Sequence, residues 1–482
     1  MFRLKFKFIA VLILIAAVNV YAAENDLINA VEAADISVVS QLLKNGTDVN
    51  YIDDKGRTAL MVAAEKGSIH VAELLIKKGA DVNLKNPKSA INPLFLAALF
   101  GHSDLVTLLL SNGAEINSRT GNGSTPLFAA SYSGYSEIIN ILLSNGAEIN
   151  AVDTETGYTA LMRAAERGNS AAVETLIKRG SNINVSDRKG LTPLMFAVKN
   201  DKPDVVNLLL KEGADIYAPD KEGYTALIYA SGLGMTGIGL MLINAGADIN
   251  ASAGEIANTP LMFASENGHT GMVMVLLDRK ADKEKRNNRG ETSLIIAAIH
   301  GRKGVVNALI NDGADVEAAD NENYNAIISA CEKGYTEIVK SLISAGANVN
   351  CKDNRNSMTP LMYASRFGHA EIAEMIMTAG GEIETGDSFG QTSLMHAALN
   401  GQARIVKLLL GRGALHKARN NAGETALMLT VKNGYIETLK LLIEAGADIN
   451  VKQENGWTPL MYADQKKNNV MIELLKKNGA KK

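Results

Sequence analysis

A four-residue signature returns along this chain at a fixed interval. Thr58-Ala59-Leu60-Met61 comes back as Asn92-Pro93-Leu94-Phe95, Thr125-Pro126-Leu127-Phe128 and Thr159-Ala160-Leu161-Met162, then from Thr192, Thr225, Thr259, Thr292, Asn325, Thr359, Thr392, Thr425 and Thr458. Successive copies lie 33 or 34 residues apart. A unit this short cannot bury its own apolar face. Each must bury it against its neighbours, giving a continuous core with mostly nearest-neighbour energetics. Residues Asp26 to Asn50 form a further, atypical first unit, so the count is about fourteen and leaves no room for a second domain.

The local chemistry of one unit predicts two helices. Thr at the start is an N-cap whose hydroxyl can satisfy an orphan backbone donor. Pro93, Pro126, Pro193, Pro260, Pro360 and Pro459 follow the cap, where the missing N–H costs nothing. A short helix with a small-residue step follows, as at Ala63-Ala64 and Ala97-Ala98, and a Gly such as Gly67 or Gly101 breaks it. The second helix carries apolar residues at helical spacing (Val71, Leu74 and Leu75; Ile138, Ile141 and Leu142). It ends at a C-cap Gly such as Gly79 or Gly113. Ala-Asp/Glu-Val/Ile-Asn and a polar turn such as Asp54-Lys55-Gly56 complete the unit, the turn reading as a hairpin-like finger.

The pattern G-x-T-P-L-x-x-A-A-x-x-G…L-L-x-x-G-A-D-x-N resembles the ankyrin-repeat family over nearly the whole chain. The resemblance implies an all-α ankyrin-repeat solenoid of helix–turn–helix units with β-hairpin-like fingers, elongated and curved. The repeats begin near 25, 58, 92, 125, 159, 192, 225, 259, 292, 325, 359, 392, 425 and 458. One departure matters. The family's His after Thr-Pro-Leu is absent; Met61, Met162, Ile228, Ile295 and Met461 stand there, so an apolar contact is expected to replace a polar link. The ends are polar, as caps of an array should be: Glu24-Asn25-Asp26 at one, Lys466-Lys467, Lys476-Lys477 and Lys481-Lys482 at the other.

The N-terminus differs from the array. Arg3, Lys5 and Lys7 precede an apolar run from Phe8 to Val18, and Val20-Tyr21-Ala22 offers small residues at a cleavage site. This is the pattern of a secretory signal peptide, residues 1–22, with residues 23–482 as the mature solenoid. The rival is an uncleaved anchor, but the run is too short to span a bilayer of roughly 30 Å. Without residues 1–22 the chain holds 46 basic residues (49 less those three) against 52 acidic ones, no electrostatic footprint for nucleic acid, although a local basic patch stays open. Two cysteines, Cys331 and Cys351, are too few for a disulfide framework, and a bridge between them is not expected.

Several features carry competing readings. Fingers are lengthened before Asn92, Thr159, Thr259 and Thr359, through an old three-unit duplication or independent loop drift. Gly237 and Gly239 fall inside a second helix, either weakening that layer as a hinge over 225–245 or permitting close packing. Gly232 to Gly237 matches G-x-G-x-x-G, and Gly386 to Gly390 matches G-x-S-x-G, but both lie in repeat positions that lack the strand–turn–helix setting those chemistries need. His102, His269 and His369 follow the interhelical Gly, where the family often has His for structural reasons, and no metal site is expected. The basic cluster Arg279, Lys280, Lys283, Lys285, Arg286 and Arg289 is interleaved with acids and reads as solvated surface, or as a patch for an anionic partner.

The resemblance also implies where a partner binds: finger tips and the ends of first helices, on the concave side. At the finger position stand Tyr158, Tyr224, Tyr324 and Trp457, with Ile91 and Met358. At the helix-end position stand Phe100, Tyr132 and Phe367, with Leu99, Leu233 and Ile299. Large apolar and aromatic residues at nominally exposed sites suit an interface core, although each can instead pack across to the next finger. The expected function is a monomeric, non-catalytic scaffold in the periplasm that binds a protein partner, with no cofactor, no nucleic acid and no stable membrane insertion. The alternative is a secreted factor that engages extracellular or host proteins.

Overall fold

The computed structural model describes residues 24–481; the signal-peptide expectation for 1–22 lies outside them. Among these residues the chain is all-α, with 28 short helices paired into successive repeats. Contacts divide it into two compact units. One runs up to Tyr229 and includes Leu240–Ala247; the other comprises Ala230–Gly239 and Asp248 onward.

From Thr58 onward the repeats of each unit are built alike. The capping Thr or Asn is extended (Thr58 φ −96°, ψ 162°), and its side chain accepts the N–H three residues on, at 3.1 Å for Met61 N. The first helix then runs seven or eight residues, as in Ala59–Lys66 and Pro93–Phe100. Its small residues are fully buried (Ala63, Ala64, Ala97, Ala98), and first helices of adjacent repeats pack on one another. Leu60, Leu94, Leu127 and Leu161 line the core of the first unit; Leu261, Leu294, Leu361 and Leu394 line that of the second. Burying a Leu contributes roughly 1.5–3 kcal/mol, repeated layer by layer.

The second helix ends in a double closure. Ala80 N–H reaches back to the Leu75 carbonyl at 3.0 Å and Gly79 N–H to that of Ile76 at 2.9 Å, with Gly79 at φ +90°. This is a Schellman cap, and the left-handed residue it needs is why Gly stands there. Gly101 has a second reason: at φ +88°, a Cβ would also lie 2.5 Å from the Tyr135 ring of the next repeat.

The fingers are turns, not extended hairpins. Only two isolated antiparallel bridges occur among the described residues, Ala253 with Asn258 and Ala319 with Asn325. What shapes a finger is its Asp: Asp187 accepts from Lys189 N at 2.8 Å and Leu191 N at 2.7 Å, while Asp187 N donates to Leu191 O. Successive tips are joined by single backbone bonds, Arg188 N to Thr156 O and Lys221 N to Lys189 O in the first unit, Asn321 N to Arg289 O in the second. The lengthened fingers keep the same left-handed exit two residues before the cap. Ala90 (φ 55°), Ala257 (φ 57°) and Ser357 (φ 57°) adopt it where shorter fingers place Gly56 or Gly123.

The missing family His is replaced as expected by buried apolar side chains, Met61, Met162 and Ile295 among them, with Met461 of the last repeat exposed. A polar element persists: the Met162 sulfur accepts the Thr159 N–H at 3.4 Å. The glycine-rich helix Thr236–Asn244 forms without interruption. A Cβ on Gly237 would meet open space, and one on Gly239 would meet the flexible end of Met272.

Candidate interaction surface

The two classes of aromatic position separate cleanly by exposure. At the ends of first helices Phe100 is 44% exposed, Tyr132 40% and Phe367 44%. Leu233 is exposed as well, while Leu99 and Ile299 are half-buried. At the finger position Tyr158, Tyr224, Trp457 and Ile91 are half-buried, and Tyr324 and Met358 are buried.

The finger aromatics pack, the second of the two readings open to them. Tyr158 meets Phe196 of the next repeat edge-on, centroids 4.7 Å apart. Tyr324, only 7% exposed, lies edge-on to Tyr363 at 5.8 Å and donates its hydroxyl to Glu332. Tyr224 sits 5.6 Å from Tyr229, and Trp457 4.8 Å from Tyr462. The cause is the fifth residue of the capped segment: where Phe196, Tyr229, Tyr363 or Tyr462 offers a ring, the finger aromatic leans onto it.

A polar side chain at that fifth position also locks the finger. Tyr363 donates to Asp353 at 2.7 Å, and His396 lies 3.0 Å from Asp387. Burial alone would raise the Asp387 pKa. The His396 contact and the N–H groups of Gln391 and Phe389 outweigh it and hold that carboxyl below its ordinary range. Burial also opposes ionisation of Asp153, and again hydrogen bonds prevail, from the Thr156 hydroxyl and the N–H groups of Thr156 and Gly157.

Cations that the sequence left unremarked complete the surface of the first unit. The Arg163 guanidinium lies 4.3 Å from the Tyr158 ring centroid and 5.2 Å from that of Phe128, and it pairs with Glu166 at 2.8 Å. Arg167 covers Tyr132 at 4.8 Å, and Lys199 covers Tyr229 at 4.0 Å. Their sequence signal was available: Arg163 lies within the first helix Ala160–Arg167, and Arg167 and Lys199 end first helices that are otherwise mostly apolar.

The remaining candidates resolve into structure. His102, His269 and His369 each place Nε2 3.0 Å from a carbonyl of the preceding repeat, of Glu65, Gly232 and Glu332. No group of three or more His, Cys, Asp or Glu gathers to hold a metal among the described residues. The segment Gly232 to Gly237 joins two helices of one repeat, and Gly386 to Gly390 is a finger turn held by Asp387. In the basic cluster, Lys283 pairs with Asp312 at 2.8 Å, Lys285 donates to Asn250 O at 2.8 Å, and Arg286 donates to Gly290 O and Ala319 O. These cations tie neighbouring repeats together. Cys331 and Cys351 are free thiols, the first fully buried.

Comparison with known families settles the architecture. The family described as ankyrin repeats (3 copies) matches residues 9–86, 27–120, 94–187, 161–253, 252–320, 317–387, 376–453 and 394–482. The chain belongs to the ankyrin-repeat family. Ankyrin repeats are generally protein-binding scaffolds and usually non-catalytic. No curated protein matches the chain. No helix among the described residues is long and apolar enough to cross a membrane.

Proposed function

We propose that this ankyrin-repeat chain is an exported, non-catalytic scaffold of the periplasm that binds a protein partner on the face formed by fingers and first-helix ends. The observation that carries the binding reading is that Phe100 and Tyr132 of the first unit, and Phe367 of the second, are each exposed at the same position of their repeats. Holding large apolar side chains in water at a repeated position is unfavourable unless something covers them, and interface cores are enriched in such residues. Tyr158, Tyr224, Tyr324 and Trp457 pack on neighbouring rings at the finger position of their own units. Export rests on the basic, apolar and small-residue sequence of residues 1–22.

Two measurements test the proposal. Fractionation of the native cell should place the chain in the envelope with an N-terminus at Ala23; recovery of an intact N-terminus in the cytoplasm contradicts export. The full chain immobilised on a resin should retain an envelope protein that Phe367→Ala or Phe100→Ala/Tyr132→Ala weakens. Equal retention by all variants contradicts this face.

A further inference from the structure

Two grooves of about 390 Å³ each lie on this face of the first unit. One is lined by Tyr132, Arg163, Glu166, Arg167 and Lys202, the other by Arg188, Lys189, Lys199, Lys221 and the Tyr229 ring. They adjoin at Lys199 and Asn200, consecutive residues of the Thr192 repeat. Together they gather seven cations and three carboxylates (Glu166, Asp220 and Glu222) in a chain whose net charge is −3.

The carboxylates do not cancel this concentration. Glu166 is taken by Arg163. Asp220 accepts the Tyr229 hydroxyl and the N–H groups of Glu222 and Tyr224 and keeps its charge, and with Glu222 counted the strip is still net +4, seven cations less three carboxylates. Lys189, Lys202 and Lys221 have no ion pair among the described residues. Arg167 and Lys199 rest on ring faces, which fix a cation without neutralising it.

We propose that this strip takes an extended acidic segment of a protein partner, with carboxylates about three residues apart. The proposal rests on the protein-binding reading above. The spacing follows from geometry: packed helix layers repeat every 8–10 Å, roughly, and an extended chain advances about 3.3 Å per residue, so every third side chain meets a new layer. Nucleic acid fits less well. The Tyr132, Tyr158 and Tyr229 rings already carry Arg167, Arg163 and Lys199 over one face each, so bases would stack on those faces only by displacing the cations.

The test is fluorescence anisotropy with the full chain and three labelled probes. The first is a peptide of about twelve residues with Asp at every third position; the second has the same composition with its Asp residues in one block; the third is single-stranded oligothymidylate. The spaced peptide should bind about tenfold tighter than the block peptide, and salt should weaken it. K189E/K202E/K221E should weaken it at least tenfold and K189Q/K202Q/K221Q by less, with thermal unfolding of the variants as wild type. Equal binding of the two peptides, undiminished binding after charge reversal, or tighter binding of oligothymidylate overturns the proposal. If Phe100→Ala/Tyr132→Ala releases a retained envelope protein that K189E/K202E/K221E still holds, the face stands and the acidic segment fails. If neither variant releases it, both fail.

Discussion

Asn83 fastens its repeat to the next through Glu115. The Glu115 N–H donates to the Asn83 carboxamide oxygen at 2.7 Å, and the Asn83 amide donates to Gly113 O at 3.0 Å. Asn50 and Asn350 make the same pair of bonds one repeat on. Where Glu284 or Glu317 replaces Asn, a carboxylate can accept the N–H but has no hydrogen to donate, and only the first bond survives. Asn83→Ala should therefore destabilise the chain by about 1 kcal/mol, and Asn83→Asp by less. Urea unfolding followed by circular dichroism measures both; equal loss in the two variants would show that the bond from the Glu115 N–H carries nothing.

Ala90 occupies a left-handed position, φ 55°, that most fingers give to Gly. An L-residue there costs roughly 1–2 kcal/mol, offset in part by the greater freedom of Gly in the unfolded chain. Ala90→Gly should stabilise by about 0.5–1 kcal/mol. A lower urea midpoint for the variant contradicts this account of the longer fingers.

Folding holds the Asp153 and Asp387 carboxyls below their ordinary range. A carboxylate with a depressed native pKa adds stability that is complete above its unfolded pKa, near pH 4 by the usual Asp value, and fades as pH falls through the native one. Asp153→Asn should be less stable than wild type at pH 7, with the difference narrowing below about pH 4. Unfolding midpoints at a series of pH values test this; a difference that widens in acid reverses the sign and rejects it.

Burial pushes the Cys351 thiol up to about 11 and the Cys331 thiol well above its ordinary value. Only the thiolate attacks a disulfide reagent, so at pH 8 about one Cys351 in a thousand is reactive. Labelling by an aromatic disulfide should be slow in the folded chain and rise at least tenfold in denaturant, with two thiols titrated. Fast labelling under native conditions, or no thiol after unfolding, would contradict the buried, unbridged pair.

Repeat boundaries were legible because they are local chemistry repeated many times: the Thr159 cap, the Pro93 start and the Gly79 stop act within a few residues of themselves. Contacts between repeats were not. Asn83 reads as one letter of a consensus, and its partners lie about 30 residues on, where period alone says nothing of hydrogen bonds. Which of the two readings holds for the finger aromatics was hidden for the same reason. Tyr324 is buried because Tyr363 of the next repeat supplies a ring and Glu332 an acceptor. Phe100 and Tyr132 remained visible as surface because helix-end geometry is fixed within one repeat.

The central claim is that the exposed aromatics of this ankyrin array hold a protein. Its most direct test is capture by the immobilised full chain against Phe100→Ala/Tyr132→Ala, read by mass spectrometry, with the two chains matched for thermal unfolding. The account predicts a stoichiometric protein on the wild-type resin that is lost or at least tenfold reduced on the variant. The same protein at the same level on both resins would contradict it.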